Sequence, residues 1–125
     1  MIDFQNSPIF KLSKVDNGSV FDSVKDLLIE GESIIGAYKA IRDFVVFTEK
    51  RVISVNVQGL TGKQKDYTSL PYSKISVFSV ETAGTLDLDS ELELYFSGVG
   101  RVKFEFSGRS DVVEIGRLIS QYTLR

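Results

Sequence analysis

The chain has 125 residues, the size of one domain, and its 42% hydrophobic and 26% charged content is typical of a folded globular protein and not of a disordered or fibrous one. Its 15 basic and 17 acidic side chains leave a net charge of −2, which argues against general nucleic-acid binding. Cysteine and histidine are absent, which excludes disulfides, thiolate metal sites, cysteine nucleophiles and histidine general bases.

The amino terminus, MIDFQNSPIF, lacks the positive start and apolar run of a secretory signal. No stretch approaches the roughly 18 consecutive apolar residues of a membrane-spanning helix. We therefore expect a cytoplasmic protein with a single domain over residues 1–125. Residues 1–18, which contain Pro8, Asn17 and Gly18, are expected to form a loosely structured lead-in.

The first predicted element is a helix over residues 19–30. Ser19 is placed to cap it, and Gly31 follows it. The apolar residues that recur at helical spacing are Phe21, Val24, Leu27 and Leu28.

From Glu32 onward the hydrophobic period changes from helical to two, which indicates strands. Seven strands are predicted, at residues 33–41, 44–48, 51–57, 66–70, 75–81, 91–97 and 101–107. Short connections with turn-forming residues separate them, so neighbours should pair antiparallel. In the last two strands Leu92 and Val102 are expected on the buried face, and Glu91 and Lys103 on the solvent face.

A second helix is predicted after the last strand. Ser110 is placed to cap it and Asp111 to complement its dipole. Val112, Ile115, Ile119 and Tyr122 form an apolar stripe that should cover one side of the sheet. The order of elements favours seven antiparallel strands that curl into two crossed layers, with this helix across the open end.

Four segments of the chain resemble a known family: YKAIRDFVVFTEKRVI (38–53), QGLTGKQKDYTSLPYSKI (58–75), VETAGTLDLDSELEL (80–94) and the final helix. With the element order, they are similar to the bacterial pleckstrin-homology-like domains of unknown function. The resemblance implies an α+β, mainly β fold, an incompletely closed seven-stranded barrel with a C-terminal capping helix and an additional N-terminal helix. It also implies small scaffolds that assemble into homo-oligomeric rings.

In such a barrel three loops share one rim, so the resemblance implies an anion-binding rim of Arg42, Lys63, Lys65 and Arg101. Glycine-flanked backbone N–H groups and lysines together favour an anion. Gly59 and Gly62 are equally explained as turn residues with positive φ, and the loop lacks the lysine-hydroxyl pair of a phosphate-binding loop.

The acidic segment after the fifth predicted strand spaces Asp87, Asp89 and Glu91 like the start of a calcium loop. The required glycine position holds Leu92 and the twelfth position holds Gly98, so we predict no metal site and no cofactor. No nucleophile motif is present either, so we predict a protein that is not an enzyme.

Two functions remain. The first is an interaction module that pairs exposed strand edges with copies of itself or with a protein partner. Its predicted contact joins strand 44–48 and the turn residues Thr48, Lys50 and Arg51 to the acidic residues Asp87, Asp89 and Glu91 of a neighbouring subunit. The alternative is a peripheral binder of anionic lipid or phosphate that uses the basic rim.

Overall fold

The computed structural model describes residues 1–5, 9–86, 88–108 and 112–124. Within these ranges it contains eight strands, two α-helices and one 3₁₀ turn. The strands are β1 (Ile9–Val15), β2 (Ile34–Ala40), β3 (Asp43–Thr48), β4 (Arg51–Gln58), β5 (Gln64–Pro71), β6 (Ile75–Glu81), β7 (Ser90–Phe96) and β8 (Gly100–Phe106). The helices are α1 (Gly18–Val24) and α2 (Val112–Thr123), and the 3₁₀ turn is Tyr72–Lys74.

The strands form one curled sheet in the order β5-β4-β3-β2-β1-β8-β7-β6. All neighbouring strands pair antiparallel except β1 and β8, which are parallel. Strands β5 and β6 are the two edges, so the barrel is incompletely closed, as predicted. The structure differs from the prediction in having eight strands instead of seven, and one continuous sheet instead of two separate layers.

The additional strand, β1, lies inside the segment that the sequence analysis expected to be a loose lead-in. Its first part pairs with β8, through Ile9 and Leu12, and its last part, Ser13 to Val15, pairs with β2. Lys11, with a φ of 60°, stands where the strand leaves one partner for the other. Strand β1 therefore joins the two halves of the sheet.

The seven predicted strands are all present, and no end differs from its prediction by more than two residues. The predicted alternation in β7 and β8 is confirmed, because Leu92 and Val102 are fully buried. The turn between them uses positive φ at Gly98 and Gly100, the freedom that a three-residue hairpin turn requires.

Helix α1 is shorter than the predicted helix of residues 19–30. It ends at Val24, because the chain beyond it turns to place backbone groups against Glu32: the Ile29 N–H donates to Glu32 Oε1 at 3.1 Å. The predicted cap also differs, since Ser19 lies inside the helix and its hydroxyl donates to the Asp16 carbonyl at 2.6 Å.

Helix α1 covers the outer face of β2, β3 and β4. The buried residues of this smaller core are Val20, Val24, Ala37, Phe44, Val46, Ile53 and Val55. This second core explains why β3 is buried on both faces and does not alternate with solvent.

The larger core fills the barrel. Aromatic rings stand at its centre, where Tyr38 packs edge-on against Phe106 with ring centroids 4.9 Å apart. Helix α2 seals the core with Val112, Ile115 and Ile119 of the predicted stripe buried, while Tyr122 is half-buried. The predicted cap residues Ser110 and Asp111 lie outside the described residues. Among the helices described, none has the length and apolar character needed to cross a membrane.

Helix α2 approaches β6 most closely at Gly116. A Cβ at this position would lie 2.5 Å from the Val80 Cγ2 atom, which is too close for van der Waals contact. We expect Gly116→Val to lower the free energy of unfolding by about 1–3 kcal/mol through overpacking. Denaturant titration measures the change, and a second substitution, Val80→Ala, should recover part of the loss. An equal loss in both backgrounds would contradict this account.

Candidate functional site

The β2–β3 turn and the β4–β5 loop lie side by side at one end of the sheet, and Arg42 ties them together. Its Nη1 donates to the Gly59 carbonyl at 2.9 Å and its Nη2 to the Val57 carbonyl at 2.8 Å. We call residues 39–43 and 57–65 the hairpin end. The guanidinium of Arg42, predicted to bind an anion, here holds two backbone segments in register.

The hairpin end concentrates positive charge. Lys63, in the β4–β5 loop, and Lys65, near the start of β5, are exposed. Two further exposed lysines, Lys39 and Lys11, were not among the predicted rim residues. Lys39 is near the end of β2, and the antiparallel register of β1 against β2 carries Lys11 toward the same end. The placement of Lys11 depends on β1, so no local sequence pattern indicates that it lies near Lys39.

The carboxylates nearest to these lysines are already bonded within the chain. Asp43 accepts a hydrogen bond from the Val57 N–H at 2.9 Å. Asp66 lies 2.8 Å from the amino group of Met1. Bonds from that amino group and from the Thr68 hydroxyl hold the pKa of Asp66 below its usual value. Asp43 and Asp66 are therefore bonded to other groups of the chain and not to these lysines.

Arg101, the fourth predicted rim residue, is near the start of β8. It stands on the outer face of β8, where its Nη1 is 3.8 Å from the Glu93 carboxylate on β7. With Val77 and Tyr95 it lines a shallow, mostly apolar groove of about 370 Å³. Of the four predicted rim residues, Arg42 joins the two loops of the hairpin end, and Arg101 is near Glu93 on the outer face of β7 and β8.

The first five residues cross the barrel end from β5 to β8. The Ile2 N–H donates to the Thr68 hydroxyl at 3.2 Å, and the Gln5 side chain donates to the Arg101 carbonyl at 2.6 Å. Between these contacts Phe4 is buried in the larger core. These contacts hold residues 1–5 against the barrel end.

Two residues of the predicted subunit contact, Thr48 and Arg51, point into the fold instead. The fully buried Thr48 hydroxyl donates to Glu32 Oε2 at 2.7 Å. Arg51 grips the same carboxylate through Nε at 3.0 Å and Nη2 at 2.9 Å, and Nη2 also donates to the Leu27 carbonyl at 2.6 Å. We call Glu32, Thr48 and Arg51 the Glu32 cluster.

The Glu32 cluster holds a charge in the interior. Burial of the carboxylate favours its neutral form, but hydrogen bonds from Arg51, Thr48 and the Ile29 N–H outweigh that effect and hold the pKa of Glu32 below its usual value. The Tyr72 hydroxyl donates a hydrogen bond to the Thr48 carbonyl at 2.7 Å, next to the cluster. Burial raises the pKa of Tyr72. The cluster fastens the segment after α1 to the β3–β4 turn.

The remaining predicted contact residues are on the surface or near it. Lys50 is exposed at the β3–β4 turn. On the acidic side, Glu91 is 3.1 Å from the Lys103 ammonium and Asp89 is half-buried, while Asp87 lies outside the described residues. In the part of the chain that the structure describes, no group of three His, Cys, Asp or Glu side chains is arranged to hold a metal.

The strand that was predicted to form the subunit contact is not an edge of the sheet. The strand predicted at 44–48 is β3, which is central because β2 and β4 pair with it on both sides. The free edges, within the described ranges, belong to β5 and β6. On β6, Val77 is 64% exposed and lies opposite Tyr95 of β7, so an apolar pair borders that free edge.

The model of the family described as "Bacterial PH domain" matches residues 3–123. The chain is 41% identical over 110 residues to the uncharacterized protein YjqA of Bacillus subtilis (strain 168), covering 86% of this chain and 88% of that protein. Among solved structures, it is similar to a DUF1696 family protein with a pleckstrin-homology domain from Shewanella loihica PV-4, with 37% identity, a TM-score of 0.77, and coverage of 91% of this chain and 98% of that one.

A pleckstrin homology domain from Shewanella amazonensis SB2B shares 43% identity and a TM-score of 0.67, over 90% of this chain and 92% of that one. The family match spans nearly the whole chain, and these relatives share both its sequence and its fold. The resemblance inferred from the sequence is confirmed: the chain belongs to the bacterial pleckstrin-homology domain family.

Proposed function

We propose that this protein is a non-enzymatic interaction module that assembles with copies of itself into a closed ring. The observation that carries the proposal is the free edge of β6. A strand edge presents unpaired N–H and C=O groups, and natural proteins usually protect it with charges, proline or a bulge. From Ser76 to Val80 strand β6 has no charged residue and no proline. Its one register irregularity against β7 lies between Ile75 and Val77, so the regular part of the edge, from Val77 to Val80, is suited to pairing with another strand.

The two free edges are different, which favours a ring over a simple dimer. Strand β5 contains Lys65 and ends at Pro71, and Lys50 lies beside it because the Lys50 carbonyl accepts the Tyr72 N–H at 3.1 Å. Strand β6 ends at Glu81, at the start of the acidic segment. Pairing β6 of one copy with β5 of the next joins two unlike surfaces. Such head-to-tail contacts repeat until the ring closes.

The groove beside β6 adds an apolar component to this contact. Val77 and Tyr95 are exposed in the monomer, and a strand added to the β6 edge would cover part of both. Burial of aliphatic and aromatic surface supplies most of the free energy of such a contact, while the charges set its orientation. This part of the proposal replaces the contact predicted through Thr48 and Arg51, whose side chains are engaged in the Glu32 cluster.

We expect Val77→Lys to abolish assembly, because the new charge would be desolvated in the contact. Light scattering coupled to size exclusion should give several times the monomer mass of 14.0 kDa for the unmodified protein and the monomer mass for the variant. The measurement is made at about 50 µM, where a micromolar contact is well populated. Val113→Lys on α2, where Val113 is 58% exposed, is the matched control and should assemble normally.

A monomeric unmodified protein would refute the proposed assembly. Assembly that survives Val77→Lys would leave self-association standing but place its contact away from β6. Loss of assembly in both variants would point to a general effect of added positive charge instead of a specific edge.

A further inference from the structure

An open cavity of about 340 Å³ lies between helix α2 and the strands β1 and β2. The register of the strands explains it, because the last pair that β1 forms with β2 joins Val15 to Ala37 and residues 34–36 of β2 extend past the end of β1. The Asn17 side chain partly replaces the missing strand, since its Nδ2 donates to the carbonyls of Ile34 and Ile35, each at 3.4 Å. We call this space the α2 cavity, and its lining includes Lys14, Gly36, Tyr38, Phe47, Ile115 and Arg117.

The inner part of the α2 cavity is aromatic. Tyr38 and Phe47 are almost fully buried, and their rings pack edge-on with centroids 5.8 Å apart. Ile115 and Leu118 of α2 add aliphatic surface beside them. Because Tyr38 also packs against Phe106 in the larger core, this floor is held in place by the fold. The inner part is therefore suited to the apolar body of a small molecule, and the volume is within the range of small-molecule sites.

Gly36 keeps the α2 cavity open. It has no positive φ, so its backbone conformation does not require glycine. A Cβ at this position would lie 3.6 Å from Cε2 of Tyr38, which is ordinary van der Waals contact. Packing within the chain therefore leaves room for a larger residue, although β2 has a register irregularity between Ile34 and Gly36. A glycine inside a strand often marks a place where a ligand approaches the backbone closely.

Two cationic side chains stand at the mouth of the α2 cavity. Lys14 of β1 and Arg117 of α2 are exposed, and they line the cavity from the sheet and from the helix. Among the residues that the structure describes, neither takes part in an ion pair. Glu114 also lines the cavity, and it takes part in an interaction within the chain. Positive charge is therefore in excess at the mouth.

We propose that the α2 cavity binds a monocarboxylate with an apolar body, such as a short fatty acid or an arylalkanoic acid. The body lies on Tyr38 and Phe47 beside Gly36, and the carboxylate meets Lys14 and Arg117 at the mouth. Arginine can hold a carboxylate by two parallel hydrogen bonds, and burial of the apolar body supplies further affinity. This site is separate from the proposed assembly, because the described lining residues include none of β5 or β6.

The size and charge of the α2 cavity favour this class over other anions. At roughly 30 Å³ for a water-sized group, the cavity holds on the order of ten non-hydrogen atoms, which is one short chain and not a membrane lipid. A phosphate group carries up to about two negative charges, and Glu114 would oppose the second. A free amino acid would bring an ammonium group toward Lys14 and Arg117, which repel it.

The test is isothermal titration calorimetry of the full chain with 4-phenylbutyrate, and with 4-phenylbutanol as its uncharged analogue. The acid should bind with a Kd on the order of 0.1 mM, as expected of a ligand with about a dozen non-hydrogen atoms. The alcohol should bind at least about tenfold more weakly, because it lacks the charge-assisted hydrogen bonds. NMR chemical-shift changes on addition of the acid should centre on the α2 cavity.

Two variants divide the site into its apolar and charged parts. Gly36→Val should abolish binding of the acid and the alcohol alike, because the added side chain fills the inner part of the cavity. Its thermal midpoint should not fall, because valine is favoured in strands and restricts the unfolded chain more than glycine does. Lys14→Gln with Arg117→Gln changes two exposed residues, and it should weaken binding of the acid about tenfold while leaving binding of the alcohol unchanged. A general loss of structure would weaken both.

The matched control is Lys63→Gln with Lys74→Gln, which removes the same charge at exposed positions outside the cavity. It should bind the acid as the unmodified protein does. Equal affinity for the acid and the alcohol, or full binding of the acid by Gly36→Val, would overturn the proposal. So would the absence of measurable binding of the acid, or chemical-shift changes centred on Val77 and Tyr95 in the groove beside β6.

Discussion

Replacement of Glu32 by alanine is expected to lower the free energy of unfolding by about 3–5 kcal/mol, the usual cost of removing one partner of a buried ion pair. The Glu32 side chain is fully buried and accepts hydrogen bonds from Thr48, Arg51 and the Ile29 N–H. Without the carboxylate these donors lose their acceptor, and the Arg51 guanidinium is left partly buried without a counter-charge. Denaturant titration at fixed protein concentration measures the loss, since self-association would otherwise contribute to stability.

Glu49 is the matched control, because it is a glutamate at the same end of the fold that bonds to Ser33 but is only half-buried. Glu49→Ala should cost clearly less than Glu32→Ala. Equal losses in the free energy of unfolding would show that the Glu32 cluster stabilises the fold no more than the Glu49–Ser33 contact does. Glu32→Gln should be intermediate, since an amide oxygen can still accept hydrogen bonds but carries no charge.

The pH dependence of the free energy of unfolding should also report on the Glu32 cluster. The pKa of Glu32 in the fold lies below its ordinary value of 4.5, so its contribution is present at neutral pH and is lost as the pH falls from about 4.5 through the folded value. Glu49 and Asp66 also have lowered pKa values and contribute in the same direction. The free energy of unfolding should therefore fall on acidification. In Glu32→Ala it should fall less steeply, because one of the three contributions is gone.

Replacement of Leu12 by alanine is expected to cost about 2–5 kcal/mol, the range for truncating a fully buried leucine. Leu12 lies on β1, the strand that joins the two halves of the sheet. A thermal or denaturant titration measures the loss. Leu88→Ala makes the same chemical change at an exposed position and should have little effect. If Leu12→Ala is also nearly neutral, β1 is dispensable for the stability of the barrel.

Strand β1 is also the clearest example of structure that the sequence did not reveal. A strand is recognised by alternation along one pair of faces. Here Ile9 and Leu12, which pair with β8, are three residues apart, and the left-handed Lys11 between them breaks the period. The later residues of the strand pair with β2 instead. Each partner strand pairs with too few residues of β1 to produce a recognisable alternation in the sequence.

The other seven strands were predictable because each pairs with the same neighbouring strands along its length, so its side chains alternate regularly between two faces. Strands β7 and β8 show this best, since Leu94 and Val102 share the buried face while Glu93 and Lys103 share the other. Helix α1 was predicted too long because Leu27 and Leu28 continue the apolar pattern. In the fold Leu27 is exposed and Leu28 is half-buried, since the chain there follows the bonds to Glu32 and not the helical period.

The candidate sites were harder to predict because polar residues at turns look alike in a sequence. Thr48 and Arg51 stand beside a charged turn, which suggested a surface contact. Their partner, Glu32, is 19 residues before Arg51, and nothing local connects them. Arg42 was predicted to bind an anion, and in the fold its guanidinium donates to two backbone carbonyls.

The position of β1 between β2 and β8 has a consequence for how the chain reaches its native state. Ile9 pairs with Phe104, so β1 cannot complete its pairing until β8 has been synthesised. The hairpins from β2 to β5 can form meanwhile from local contacts. Closure of so long a loop is slow. Nascent chains that lack β8 should therefore hold an ordered meander with an unattached leading segment, and that stage is where chaperones would have most to bind.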